Sequence, residues 1–283
     1  MAGQLFLCAT PIGNLKDMTP RVIECLEQAD LIAAEDTRNS IKLLNHFGIK
    51  TPMTSYHEHN KYEKAEALIT QLRKGKNIAL ITDAGTPAIS DPGEVLVAKC
   101  QEAGIGVTSL PGPAACITAL TLSGLPTKRF CFEGFLPMDK KEKKAILEEL
   151  KQETRTIILY EAPHHLKQTL KELEMSLGDR RITLCRELTK KFETIFPTTL
   201  EGALAYYEQN DPRGEYVLVL EGRSMADKQE EEKACWQQLS LEEHMKYYEE
   251  QGFGHREAMK LVAKDRGISK RDIYQQLLKE EKQ

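Results

Sequence analysis

The chain has 283 residues, of which 41% are hydrophobic, and a formal net charge of −4. That length predicts about two domains with a real core, and the mild acidity argues against a dedicated non-specific DNA binder, which is usually basic overall. No apolar run reaches the ~20 residues that span a bilayer, and the opening Met1-Ala2-Gly3-Gln4 lacks the basic segment of a secretory leader; a cytoplasmic protein with no membrane partner is therefore expected.

The first 110 residues alternate short apolar runs with helix-period stretches. Strands are predicted at 5–9, 31–34, 78–82 and 106–110. Thr19-Pro20 supplies a helix N-cap followed by a proline at the first helical position. Gly48, Gly75 and Gly104 each close a helical stretch where positive φ is required. This alternation predicts an α/β domain, residues 1–125, with a largely parallel sheet. After Gly124-Leu125-Pro126 the pattern resumes, with strands predicted at 129–133, 156–160, 182–185 and 216–220. Helices are expected near 140–153, 163–177 and 200–208, giving a second α/β domain over 126–226. The run Asp227–Lys233 is charged and free of apolar residues, as a linker or exposed helix end would be. Residues 235–283 read as a helical tail resembling a helix–turn–helix, with Ser269 as an N-cap.

Seven cysteines (Cys8, Cys25, Cys100, Cys116, Cys131, Cys185 and Cys235) are scattered, with no C-x-x-C spacing. They read as small buried hydrophobes in a reducing compartment, and no zinc site is supported. His57-Glu58-His59 and His164-His165 are better read as surface pairs than as metal ligands, so no metal is expected.

Five loops rich in small or polar residues directly follow strand-like runs: Thr10–Asn14, Asp83–Pro87, Pro111–Ala115, Tyr160–Pro163 and Arg186–Lys190. Ligands of open α/β sheets bind outside the carboxyl ends of strands, so these loops predict a cleft along one edge. Gly13, Gly85 and Gly112 let backbone approach a ligand closely, and the prolines stiffen the loops. Neither G-x-G-x-x-G nor G-x-x-x-x-G-K-[ST] is present, which argues against a Rossmann dinucleotide site and a P-loop.

The segments Thr10-Pro11-Ile12-Gly13-Asn14-Leu15, Ala34-Glu35-Asp36-Thr37-Arg38, Asp83-Ala84-Gly85-Thr86-Pro87 with Asp91-Pro92-Gly93, Leu110-Pro111-Gly112-Pro113, Glu133-Gly134-Phe135-Leu136-Pro137 and Arg186-Glu187-Leu188-Thr189-Lys190 carry a combined resemblance. Together they resemble the ribosomal RNA small-subunit methyltransferase I group of the tetrapyrrole-methylase superfamily, in order through residues 4–222. The resemblance implies a two-domain tetrapyrrole-methylase-like fold with S-adenosylmethionine in the interdomain cleft, and a homodimer. It also implies methylation of a cytidine ribose 2′-oxygen in the decoding region of 16S rRNA, within the small ribosomal subunit. By motif, cofactor contacts are expected from Pro11, Asp83, Gly85, Thr86, Ala114, Ala115, Tyr160, Leu188 and Gly214. Asp83 reads either as a cofactor carboxylate or as a loop cap.

A ribose hydroxyl is a poor nucleophile while protonated, so a base or a cation beside it is sought. The candidates are Glu35, Asp36, Glu187 and Lys190, with His57 as a further possibility. Lys190 can act as a base if neighbouring cations lower its pKa, or it can bind phosphate or simply face solvent. Arg38 can pair with Asp36 or grip phosphate, and Lys140 and Lys141, in a cluster with Lys143 and Lys144, either steer RNA or form a solvated helix end. Two other readings stay open: a tetrapyrrole C-methyltransferase on this fold, and a non-catalytic nucleic-acid-binding protein.

Overall fold

The computed structural model describes residues 2–226, 236 and 239–280. Asp227–Lys233 and Cys235 lie outside the described residues. The chain forms two compact units, one of residues up to 151 with 155–221, and one of residues 152–154 with the chain from 222 onward.

The larger unit contains two five-stranded sheets. The first is built from β1 (Leu5–Cys8), β2 (Leu31–Ala34), β3 (Met53–Ser55), β4 (Ile78–Ile81) and β5 (Val107–Leu110), in the order β3-β2-β4-β1-β5. Every pairing is parallel. Parallel strands need crossovers, and the helices supplying them cover both faces. Alternate residues accordingly enter different cores. Leu5, Leu7, Ile78 and Leu80 pack in one cluster with Leu68, Leu72 and Leu96. Cys8, Ile32, Ala79 and Ile81 pack in another with Val22, Leu26 and Leu44. The helices behind these clusters are α1 (Pro20–Gln28), α2 (Thr37–His46), α3 (Lys61–Arg73) and α4 (Gly93–Glu102). The Thr19 hydroxyl caps α1 by accepting the Val22 N–H at 3.3 Å. Gly48, Gly75 and Gly104 take φ of 72°, 90° and 67° after their helices.

The second sheet uses β6 (Phe130–Phe135), β7 (Thr156–Glu161), β8 (Arg181–Arg186), β9 (Thr194–Thr199) and β10 (Tyr216–Leu220), in the order β6-β7-β10-β8-β9. It is mixed: β6 and β7 are parallel, and β10 is antiparallel to both its neighbours. One face packs Ile157, Leu159, Leu184 and Leu218 under α6 (Lys140–Gln152), α7 (Pro163–Leu177) and α8 (Leu200–Gln209). The opposite face, with Ile158, Cys185, Val217 and Val219, is covered by Cys116, Ala119 and Leu120 of α5 (Ala115–Leu122). That helix leaves the end of β5, so it ties the first sheet to the second.

The smaller unit holds α9 (Leu241–Glu250), α10 (His255–Arg266) and α11 (Lys270–Glu280) around Leu241, Met245, Met259, Val262 and Ile273. Ser240 and Glu243 form a capping box at the start of α9. Ser269 caps α11 by accepting the Asp272 N–H, and Gly267 ends α10 in the left-handed region at φ 65°. Among the described residues, no helix is long and apolar enough to cross a membrane.

Candidate active site

The carboxyl ends of β1, β4, β7 and β8 and the entry to β10 surround a cavity of about 330 Å³, within the range of small-molecule sites. Because β10 runs antiparallel to β7 and β8, its amino end lies on the edge where they finish. All five loops expected from the sequence contribute: Ile12 after β1, Asp83–Thr86 after β4, Ala114 and Ala115 leading into α5, Tyr160–Ala162 at the end of β7, and Glu187, Leu188 and Lys190 after β8.

Short backbone links hold these loops against one another. Thr10 and Gly85 exchange two hydrogen bonds, at 2.9 and 3.0 Å, and the Thr86 hydroxyl donates to the Pro113 carbonyl at 2.9 Å. Gly85 has φ 85°, and a Cβ there would stand 3.3 Å from the Ile12 side chain. Among the described residues, four that are not glycine take positive φ: Ala88 and Ser90 in the loop after β4, and Glu187 and Thr189 in the loop after β8. Such conformations cost of order 1–3 kcal/mol each and cluster at functional sites. Both loops line the cavity.

The cavity wall is acidic, lined by Glu35, Asp83, Asp91, Glu161, Glu187 and Glu215 as well as by Lys190. The Lys190 ammonium donates to Glu187 at 2.9 Å and to Glu215 at 2.7 Å. Burial by itself would depress the lysine's pKa, but Glu215 and Glu187 outweigh it and hold the value above the ordinary range. The expectation that neighbouring cations make Lys190 a base is therefore corrected: its neighbours are carboxylates, and it stays protonated. Glu187 is pushed up by burial, yet the Glu215 N–H and the Lys190 ammonium win and leave it more acidic than usual. Asp83 moves the other way. Its burial raises the pKa, the Asp36 N–H opposes this, and the nearby Glu35 carboxylate adds to the rise. The Glu35 carboxylate accepts the Thr82 hydroxyl at 2.6 Å.

Two glycines shape the Lys190 niche. A Cβ on Gly13 would lie 2.4 Å from Lys190 Cγ, and one on Gly214 would lie 2.5 Å from Glu187 Cγ. Gly214 thus stands behind the cavity wall while its neighbour Glu215 forms part of it, and Pro11 likewise stands beside the lining residue Ile12. The other motif-derived cofactor positions, Asp83, Gly85, Thr86, Ala114, Ala115, Tyr160 and Leu188, line the cavity, as do Glu35, Glu187 and Lys190. Asp36 does not. Its carboxylate caps α2 by accepting the Arg38 N–H at 2.8 Å and also holds the Arg38 guanidinium, and these bonds keep it more acidic than usual. Arg38, whose side chain is 88% exposed, is thus tied beside the cavity. Lys140 and Lys141 stand exposed in the first turn of α6, away from the lining. Glu215, Phe135 and Glu161 also line the cavity; Phe135 and Glu161 fall within the segments Glu133–Pro137 and Tyr160–Pro163, but none of the three was expected as a contact residue. Glu215 left a signal in the carboxylate next to Gly214, just before a strong strand. Among the described residues, no group of three or more His, Cys, Asp or Glu is placed to hold a metal.

Residues 4–204 match the family model of the tetrapyrrole (corrin/porphyrin) methylases. A ribosomal RNA small subunit methyltransferase I of Halalkalibacterium halodurans is 50% identical over 272 residues, covering 96% of this chain and 93% of the relative. The chain belongs to the ribosomal RNA small subunit methyltransferase I family. The Synechocystis member is 47% identical over 274 residues, covering 96% of both chains. The solved structure of a uroporphyrin-III C-methyltransferase from Thermus thermophilus, complexed with S-adenyl homocysteine, superposes with a TM-score of 0.54 at 17% identity, over 77% of this chain and 97% of that one. At that identity the likeness is one of fold, and it gives the family member described above the two-sheet tetrapyrrole-methylase architecture.

Proposed function

We propose that this methyltransferase I family member moves the methyl group of S-adenosylmethionine to the ribose 2′-oxygen of a cytidine in the decoding region of 16S rRNA. Methylation of ribosomal RNA with that donor follows from the family; the sugar oxygen and the cytidine are the finer part of the reading. The observation that carries it is the acidic cavity wall with a protonated lysine held between Glu187 and Glu215.

The lining fits S-adenosylmethionine. Ile12, Ile89, Leu188 and Val217 offer apolar walls for a purine, and Ala84, Gly85, Ala114, Ala115 and Ala162 leave room for close backbone approach. Asp83, Glu187 and Glu215 favour a cation. When bound, the donor supplies an already activated methyl on its sulfonium. The chain's own residues then have to position and polarise the acceptor, and alignment of reactants alone is worth roughly 7–11 kcal/mol of barrier. Lys190 serves as the cation beside the 2′-oxygen, stabilising the charge that develops there as the oxygen takes the methyl group and its proton passes to solvent water. Asp36 and Glu187, both held acidic, are weak bases. Arg38, Lys140 and Lys141 are assigned to phosphate, where positive charge adds affinity without reading sequence. The enzyme is assigned to the cytoplasm as a homodimer.

The test is nucleoside mass mapping of 16S rRNA from cells lacking the protein, repeated after incubating those subunits with purified enzyme and S-adenosylmethionine. One 2′-O-methylcytidine should vanish and return. An unchanged set of 2′-O-methyl nucleosides refutes the assignment.

A further inference from the structure

We propose that Cys8 and Cys25 form a reversible dithiol–disulfide pair, a modification site addressed by hydroperoxides. The sequence alone reads both as small buried hydrophobes, since the cysteines are scattered and show no C-x-x-C spacing. The fold brings them together. Cys8 ends β1, fully buried, and Cys25 sits on α1, packed over that strand. Their sulfurs are 3.6 Å apart, with the Cys8 thiol donating to Cys25.

The two thiols differ in access. Cys25 is only partly buried and lines a surface pocket of about 200 Å³, together with Arg21, Glu24, Asn77 and Thr108. Arg21 lies one helical turn before it. Reactive cysteines sit in partly exposed surroundings beside a cation, with a resolving thiol in reach. The Cys8 thiol and Arg21 lower the Cys25 pKa against the effect of burial. Cys100 and Cys185, by contrast, are pushed up by burial to about 11 and about 12.

The chemistry balances with a hydroperoxide as oxidant. The Cys25 thiolate attacks one peroxide oxygen and the O–O bond breaks, giving a sulfenic acid; the other oxygen leaves and, with a proton, becomes water (or an alcohol). The Cys8 sulfur then attacks the Cys25 sulfur, and the hydroxide it expels leaves as water with the Cys8 proton. Each cysteine sulfur gives up one electron, and the peroxide takes both. Closing the pair requires an approach of about 1.5 Å to reach disulfide length. The bond would lock the segment carrying Thr10, Ile12 and Gly13 into a ring.

Peptide mapping of the full-length protein after hydrogen peroxide treatment tests the pair directly, and its readout does not depend on methyl transfer. The peroxide dose is set to oxidise the exposed Met138 and Met175, so that delivery of oxidant is known. A Cys8–Cys25 cross-linked peptide should appear with an intact-mass loss of about 2 Da from disulfide formation, before any methionine oxygen is counted. Dithiothreitol should reverse the link, and C25S should abolish it. Serine is the mildest replacement for the half-buried Cys25, which packs at the margin of the β1 core, and the wild-type mapping stands whether or not the variant folds. Two free thiols at that dose, or Cys25 carried to sulfinic acid with Cys8 still free, would overturn the proposal.

Discussion

The Tyr160 hydroxyl accepts a hydrogen bond from the Cys116 backbone N–H at 3.2 Å. Tyr160 stands near the end of β7 and Cys116 in the first turn of α5, so this bond adds to the apolar packing that joins the second sheet to the helix leaving the first. It also satisfies an N–H that has no partner inside the helix. Tyr160→Phe removes the acceptor and leaves a buried donor bare, which costs about 1–3 kcal/mol. The unfolding midpoint should fall by several degrees, and S-adenosylmethionine binding, measured by calorimetry, should weaken. Unchanged values of both would show that the bond contributes nothing to the cavity.

Lys190 lies between two carboxylates, so its removal leaves Glu187 and Glu215 facing each other without a cation. Lys190→Met should lower kcat about 10²–10³-fold, the scale of losing one charge-stabilising donor. Cofactor affinity should change far less, because removing one cation from an acidic wall does not disfavour a sulfonium. Lys190→Arg keeps the charge but not the reach and should recover part of the rate. A loss confined to cofactor affinity, with single-turnover rate intact, would assign Lys190 to binding instead.

Gly13 sets where that lysine can lie. The Cβ of Gly13→Ala would meet Lys190 Cγ at 2.4 Å, and Gly13 has φ 153°, a backbone that alanine adopts poorly. The lysine stem has to swing out, away from Glu187 and Glu215. Overpacking of this kind costs about 1–3 kcal/mol. The single-turnover methylation rate should drop toward that of Lys190→Met, while Gly48→Ala, with open space around its Cβ site, should affect stability only.

The cavity was largely legible because its loops advertise themselves. Gly-Pro-rich segments at Thr10–Asn14, Asp83–Pro87 and Pro111–Ala115 follow β-type runs, and parallel strands place such loops on one edge. What escaped had physical causes. β3 contributes only Met-Thr-Ser to an edge and carries little apolar signal. β9 contains Pro197, which demotes a strand reading, yet it is an edge strand, where proline is tolerated. Glu215 precedes its strand, and it faces the cavity only because β10 runs antiparallel to β8, a pairing that periodicity does not reveal. The environment of Lys190 was misjudged for the same reason, since the second carboxylate, Glu215, stands at the entry to that strand.

Asp83 carries a raised pKa, so in the folded protein its proton is held more tightly than in the unfolded chain. The stability it lends is therefore full below the ordinary aspartate range and is lost as pH rises through the raised folded value. At neutral pH the ionised group opposes folding. Asp83→Asn should raise the unfolding midpoint of the free protein at pH 7 relative to wild type, with the gap closing at acid pH. The same change should weaken S-adenosylmethionine binding by roughly tenfold, as expected for one lost charge-assisted contact. A variant less stable than wild type at pH 7, with unaltered affinity, would show that Asp83 is a loop cap.

His244 gives the helical unit its own pH response. The ring is fully buried and stacks on Trp236 with centroids 4.1 Å apart and planes 5° from parallel. Arg266 Nε donates to Nδ1 at 3.1 Å, which puts the histidine proton on Nε2, 3.3 Å from the Asp265 carboxylate. A second proton on Nδ1 would have to displace the guanidinium, which also donates to the Leu239 and Ser240 carbonyls ahead of α9. Burial and Arg266 lower the pKa, and Asp265 opposes them without prevailing. A depressed value means that the stability is present above the ordinary histidine pKa of about 6.5 and is lost as pH falls through the folded value. Trp236 is the chain's one tryptophan, so its fluorescence reports on this unit alone. Emission should change cooperatively as the solution is acidified below that range, and His244→Phe, which keeps a ring to stack but cannot titrate, should remove the transition. An identical acid transition in the phenylalanine variant would place its origin elsewhere.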